Sequence, residues 1–248
     1  MKVSIITGTY NSSKYIEDCV TSIDRQDYAN IEHIIIDGAS TDDTVDRIKS
    51  ISNRVEQLVS EPDGGIYNAM NKGLRKAKGD VLGILNSDDF YNGTSVITEI
   101  VETFENTGAD CVFGDLFYVD AENPDKVVRT WITGPYKRNS FRKGWHPAHP
   151  SFFVKRSVYE SFGYFNEDLQ LAADFEIMLR FIEKHGLKTA YIPKPLVRMR
   201  LGGATSKNIT NVIKGNKECL MAFRLNDMKT PFAYSLIRLL PKLKQFLR

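Results

Sequence analysis

Cysteine is scarce. The 248 residues contain three, Cys19, Cys111 and Cys219, scattered along the chain and odd in number. No C-x-x-C or comparable ligand spacing links them. That excludes a disulfide framework and a structural zinc site, and free thiols in a reducing compartment are expected. A surplus of one charge is also missing. Lys and Arg total 33 against 31 Asp and Glu, a formal net charge of +2. Nucleic-acid binders usually carry a clear basic excess, so no nucleic-acid partner is expected. No apolar run reaches the roughly 18–20 residues needed to span a bilayer. No leader is expected ahead of the first strand, since Met1-Lys2-Val3 runs straight into it. A cytoplasmic protein, soluble or peripheral on the inner face of the membrane, is expected. Repeats and low-complexity segments are absent, and the apolar fraction, 42%, is ordinary for a folded domain.

What is present is an alternation. Residues 3–6, 32–36, 55–59 and 81–85 are short, mostly apolar and rich in β-branched side chains, as buried strands are. Between them, residues 15–24, 41–51 and 66–77 carry apolar residues at helical spacing. This β-α-β-α-β-α-β order implies a parallel sheet with helices on its faces. Ligands of such sheets bind beyond the carboxyl ends of the strands. Further on, residues 96–104, 157–162 and 174–185 predict helices, and 111–113, 127–131 and 189–192 predict strands. The chain from about residue 208 reads as helical.

The four strand ends are polar. They read Thr7-Gly8-Thr9-Tyr10-Asn11, Asp37-Gly38-Ala39-Ser40, Glu61-Pro62-Asp63-Gly64-Gly65 and Asn86-Ser87-Asp88-Asp89. Adjacent carboxylates repel one another, and a hard divalent cation would relieve the repulsion. Mg²⁺ or Mn²⁺ takes oxygen ligands, often one or two carboxylates plus substrate phosphate. The alternative is that Asp88 caps the helix beginning near Thr94 or closes a turn. Asp37 follows three isoleucines, and Thr41 or Asp42 already suffices to cap the next helix. That leaves Asp37 spare for a base or ribose. Asp63-Gly64-Gly65 also fits a plain turn. Asp174 sits at the border of a predicted buried face, as an N-cap or as a general base. His146 and His149, flanked by Pro and aromatics, fit packed side chains as well as catalytic ones.

Taken in order, SIITGTYN, IIIDGASTDDT, EPDGGIYNAMNKG and GDVLGILNSDD resemble the inverting family-two glycosyltransferases of the GT-A fold. HPSFF and LAADFEIMLR are similar to that family too, and the resemblance spans roughly residues 1–205. It is nearest to bacterial members that build surface polysaccharide. It implies an α/β fold with a mostly parallel central sheet. Residues 1–207 would form the transferase domain, 1–92 its donor half and 93–207 its acceptor half, and 208–248 a helical extension. It implies a nucleotide-diphosphate-sugar donor, usually UDP-linked, a Mn²⁺ or Mg²⁺ cofactor and a glycan or polyprenyl-linked glycan acceptor.

Carried over residue by residue, Asp174 matches the general base. Thr7, Thr9, Tyr10, Asn11, Asp37, Gly38, Ser40, Asp63, Asn71, Lys72, Asn86, Ser87 and Asp88 fall on the donor side. Asp88 and Asp89 match the metal position. His149, Arg200, Gly202, Gly203 and Ser206 fall on the acceptor or diphosphate side. Two departures stand out. Asn86 replaces the first acid of the D-x-D motif, so it is expected to bond ribose. Met70 replaces an Arg that meets phosphate in many members, leaving Lys72 and Arg200 for that charge.

A haloacid-dehalogenase-type phosphotransferase would need a second Asp two residues after Asp37, where Ala39 stands. A nucleotidyltransferase would need a Gly-rich basic loop after the first strand. A non-catalytic nucleotide-sugar binder would have no use for Asp174. The tail, residues 230–248, places Phe232, Leu236, Leu239, Leu240, Leu243, Phe246 and Leu247 at helical spacing with Arg238, Lys242, Lys244 and Arg248. It fits a helix lying on an anionic membrane, or one packed on its own domain or on a second subunit of a homodimer.

Overall fold

A computed structural model describes residues 1–202, 209–232 and 234. The first strand, β1 (Val3–Thr9), is buried along its whole length, as is β2 (Ile31–Asp37). Both carry helices on their two faces, which is why they read as continuous apolar runs and not as an alternation. β3 (Val55–Ser60) forms one edge and β4 (Val81–Ile84) lies on the other side of β1; all of these pair in parallel. The connecting helices are α1 (Ile16–Asp24), α2 (Thr44–Ile51) and α3 (Ile66–Lys76). Gly73 lets α3 lie close on β1, because a Cβ there would overlap the Ile6 side chain.

The second half adds β5 (Phe90–Tyr91), α4 (Val96–Thr107), β6 (Cys111–Val119), β7 (Val127–Trp131), β8 (Phe153–Lys155) and α5 (Arg156–Phe162). It closes with α6 (Ala173–Met178), β9 (Thr189–Arg200) and α7 (Ile209–Leu225). The nine strands run β3-β2-β1-β4-β8-β6-β9-β5, with β7 paired to β6. The β6–β9 pair is parallel, whereas β8, β7 and β5 pair antiparallel. The sheet is therefore parallel in its first half and mixed in its second. One core lies under α3, α5, α6 and α7, and the other under α1, α2 and α4.

Four expectations shift. The helix expected to start at 41 starts at Thr44, because Asp42 Oδ1 accepts from the Thr44 amide at 3.1 Å. The helix over 174–185 is α6 followed by a π-helical turn, Leu179–Lys184. The strands expected over 111–113 and 189–192 extend to Val119 and Arg200 by pairing with one another. The strands β5 and β8, two and three residues long, are too short to show a period. The segment expected as an extension from 208 contributes α7, whose Cys219, Ala222 and Phe223 are fully buried in the same core as Phe175. All three cysteines are buried free thiols. Among the described residues, no helix is long and apolar enough to cross a membrane.

Candidate active site

The carboxyl ends of the parallel strands are tied to one another. The Asn11 amide donates to Ser40 Oγ at 2.8 Å, and Asn11 Oδ1 accepts from the Thr41 amide at 2.9 Å. Asn11 adopts φ +48° to do so. Ser12 and Ser87 join the first loop to the fourth through their hydroxyls, 2.9 Å apart. The third loop closes on the second at Gly38. A Cβ there would sit 2.8 Å from Asp63 Oδ2 and 3.4 Å from the Tyr10 ring, so only Gly allows the three to meet. Asp63 Oδ1 accepts from the Gly65 amide at 2.8 Å, and Tyr10 is 62% exposed. Thr9 Oγ1 is buried and finds no hydrogen-bond partner among the described residues.

Several donor-side candidates serve the scaffold. Asp37 is fully buried and not spare. Its carboxylate accepts from the Ser40 amide at 2.9 Å, from Ser60 Oγ at 2.6 Å and from Ser40 Oγ. An acid at a buried strand end must be satisfied locally, and these loops supply the donors. Thr7 is likewise buried, with its hydroxyl 3.0 Å from His33 Nε2. Asn71 points away from the strand ends and exchanges bonds of 3.0 Å with the backbone of Phe165. It also donates to Glu167 at 2.7 Å. Lys72 pairs with Glu61 at 2.7 Å and donates to the Pro62 carbonyl.

The two adjacent acids differ. Asp89 is fully buried and accepts from Asn86 Nδ2 at 3.2 Å and from the Arg200 amide at 3.3 Å. Burial, then the charge of Asp88, pushes its carboxyl well above the usual range. Asp88 is half-buried and accepts from no neighbouring side chain among the described residues. Burial raises it as well, partly offset by Arg200. Asp88 thus presents a carboxylate with no side-chain hydrogen-bond donor among the described residues, and Asp89 anchors the loop. Asn86 is half-buried and spends one amide donor on Asp89. Among the described residues no group of three His, Cys, Asp or Glu side chains forms a ready-made metal cage. A cation at Asp88 would need oxygens from a ligand, which suits a diphosphate.

Arg200 does not reach out to a phosphate. It is 3% exposed, with its guanidinium on the Asp18 carboxylate and on the Asp88 carbonyl. The Tyr15 and Phe90 rings flank it at 4.8 and 5.0 Å. Gly202 is exposed at φ +108°, and Gly203 and Ser206 lie outside the described residues.

Asp174 lies at the start of α6, half-buried, and accepts from the Tyr67 hydroxyl at 3.4 Å. His149 is half-buried, edge-on to Phe165 at 5.7 Å. Burial lowers its pKa while the Asp174 charge works the other way. His146 is packed edge-on between Trp131 and Phe175. Tyr118 connects the two halves. Burial raises its hydroxyl, and the charges of both Asp89 and Asp174 add to that rise. Asp89 and Asp174 thus both lie near enough to Tyr118 for their charges to bear on it, and the Tyr118 ring stacks on Trp131 at 6.2 Å.

Residues 4–163 match the family Glycosyl transferase family 2. The chain belongs to that family. An uncharacterized glycosyltransferase of Mycobacterium tuberculosis, Rv1514c, is 33% identical over 180 residues, 72% of this chain and 68% of its own. A PGL/p-HBAD biosynthesis glycosyltransferase of Mycobacterium bovis is 27% identical over 219 residues, 84% of this chain and 80% of its own. Among solved structures, S. aureus TarS 1-349 in complex with UDP-GlcNAc aligns with 100% of this chain and 72% of its own. Its TM-score is 0.68 at 18% identity. The mannosyltransferase PcManGT from Pyrobaculum calidifontis, in complex with GDP-Man and Mn²⁺, aligns with 99% and 69%, at TM-score 0.65 and 20% identity. The chain spans 43% of the longer TarS structure. The fold of this glycosyltransferase is GT-A.

Sequence reasoning missed Ser12, Asp18, Tyr67 and Tyr118 in this glycosyltransferase. Tyr67 lies within the quoted EPDGGIYNAMNKG segment, and its place one turn before Asn71 on α3 was the available signal. Tyr118 and Asp18 carry no local signal, since each is brought in by strand pairing or helix docking.

Proposed function

We propose that this glycosyltransferase moves a sugar from a UDP-sugar to a hydroxyl of a glycan or polyprenyl-linked glycan, with inversion, using Mn²⁺ or Mg²⁺. The observation that supports the reading is a strand-end carboxylate with no side-chain donor, Asp88, beside the buried Asp89, whose charge and that of the α6 acid, Asp174, both bear on Tyr118. Tyr10, Gly38 and Asp63 form the wall against which a base and ribose would lie. Asp37 supports that wall from beneath. Asp88 would hold the divalent cation, which when bound offsets charge on the leaving diphosphate.

Asp174 then takes the proton of the acceptor hydroxyl, held in place by Tyr67. General-base help of this kind is typically worth about 10²–10⁴-fold. Single displacement at the anomeric carbon turns an α-linked donor into a β-linkage. Attachment to the cytoplasmic face of the membrane fits a lipid-linked acceptor. In its support, α7 exposes Ile213, Met221 and Leu225 beside Lys214, Lys217 and Arg224. Of the tail, Phe232 is 96% exposed and Tyr234 is buried against Phe175 and Phe223, and residues 235–248 lie outside the described residues.

The deciding experiment is a screen of UDP- and GDP-sugars for nucleotide release, with Mn²⁺, Mg²⁺ or EDTA. Release from a UDP-sugar that EDTA abolishes and Mn²⁺ or Mg²⁺ restores is expected. Preference for a GDP-sugar, or full turnover after exhaustive chelation, would overturn the donor or the metal assignment.

A further inference from the structure

The matched family segment ends at residue 163, before both α6 and α7. Yet α7 reaches the segment that carries Asp174. Glu218 projects from α7, is 8% exposed, and accepts from the backbone amides of Leu171 at 2.7 Å and Ala172 at 3.0 Å. These two amides immediately precede α6, whose second residue is Asp174. The same carboxylate lies close enough to the Tyr67 hydroxyl for its charge to raise it, alongside the charge of Asp174. A second bolt reaches α6 from the residue just after α7, where Asn226 Nδ2 donates to Glu176 Oε1 at 2.8 Å.

We infer that Glu218 is a positioning residue for the reaction: it holds the 171–172 backbone so that the Asp174 carboxylate faces the acceptor hydroxyl. Hydrogen bonds from amides to a carboxylate are stronger than neutral ones, and two of them on consecutive residues fix the direction in which the chain enters α6. Without that acceptor, two amides buried under α7 lose their partner and the entry to α6 relaxes. Misplacement of a reacting group by about 1 Å can cost on the order of a hundredfold in rate. This inference rests on Asp174 being the general base.

The experiment uses the full chain and the UDP-sugar that releases nucleotide fastest in the screen above. Glu218→Ala is expected to lower kcat by about tenfold to a hundredfold, with KM for the donor and UDP affinity by calorimetry unchanged. Glu218→Gln keeps a carbonyl acceptor and should recover most of the loss. Asn226→Ala breaks the other bolt and serves as the control for destabilised α7 packing. In hydrogen-exchange mass spectrometry, the segment 168–176 should lose protection in Glu218→Ala and keep it in Glu218→Gln. The inference is overturned if Glu218→Ala lowers kcat no more than Asn226→Ala does, or if protection of 168–176 is unchanged. Asp174→Asn is assayed beside them. If it keeps wild-type turnover, the base assignment fails; if it is inactive while Glu218→Ala is not, only the role of Glu218 fails.

Discussion

Arg200 donates from Nη1 to the main-chain carbonyl of Asp88 at 2.7 Å, while its own amide reaches the Asp89 carboxylate. One residue at the end of β9, the strand paired with β5, thus grips both members of the acidic pair. The positive charge that the pair demands is supplied from inside the protein as well as from any bound cation. Asp18 holds the guanidinium from α1, so the loop after β4 is braced by two other elements.

Arg200→Lys should therefore weaken both the loop and its affinity for a cation. A Lys cannot reach Asp18 and the Asp88 carbonyl at once. Loss of a charge-assisted bond in this setting costs roughly 1.5–3 kcal/mol, measurable by denaturant unfolding. The Mn²⁺ concentration for half-maximal activity should rise, and Asp18→Asn should shift it in the same direction by less. Unchanged Mn²⁺ dependence in Arg200→Lys would dissociate the brace from the site.

Asp88→Asn and Asp89→Asn should differ. The first removes the free carboxylate and should abolish metal-stimulated turnover with little change in stability. The second removes a buried carboxyl whose pKa burial, and then the Asp88 charge, push well above the usual range. For a raised carboxyl, stability falls as pH climbs from the unfolded toward the folded pKa. Asp89→Asn should therefore flatten that fall, and melts across pH would reveal it. Because both carboxyls are raised, protons compete with a cation. The Mn²⁺ requirement should thus ease as pH rises.

Asp37→Ala and Asp63→Ala separate support from contact. Removing the Asp37 carboxylate strands the Ser40 amide and the Ser60 hydroxyl, at about 1–3 kcal/mol for an unsatisfied buried group, so its melting temperature should drop. Asp63→Ala should melt near wild type but bind UDP more weakly. Calorimetry showing equal UDP affinity in Asp63→Ala and wild type would remove it from the base or ribose wall.

His33 is buried on β2, and burial lowers its pKa to about 3 from an ordinary 6.5. The unfolded chain takes up a proton below 6.5 that the folded one refuses. Stability is complete above that value and is lost as pH falls toward 3, on the order of 1.4 kcal/mol for each pH unit. His33→Gln should show a shallower loss between pH 6.5 and 4 in chemical denaturation. An identical pH slope in both proteins would mean that another group governs the acid limb.

The sequence alone was enough for the parallel half and its family. Continuous apolar runs such as Ile34-Ile35-Ile36 are dictated by burial on both faces, so the pattern survives in one dimension. Loops such as Asn86-Ser87-Asp88-Asp89 follow those runs directly, and the strand ends were legible for that reason. What each side chain does there was not. Asp37 and Asp89 look in sequence like Asp63 and Asp88, and burial separates them: the first two are buried and satisfied by neighbours brought in by the sheet, the last two are only half-buried at the strand ends. Arg200 read as a phosphate cation until the β6–β9 pairing carried it beneath the acids. Glu218 lies 44 positions beyond Asp174, yet it holds the Leu171 and Ala172 amides at the entry to α6 because α7 docks there. Local patterning records which face of an element is buried. It does not record which distant element covers that face, and that covering neighbour decides whether a polar group is a scaffold bond or a site.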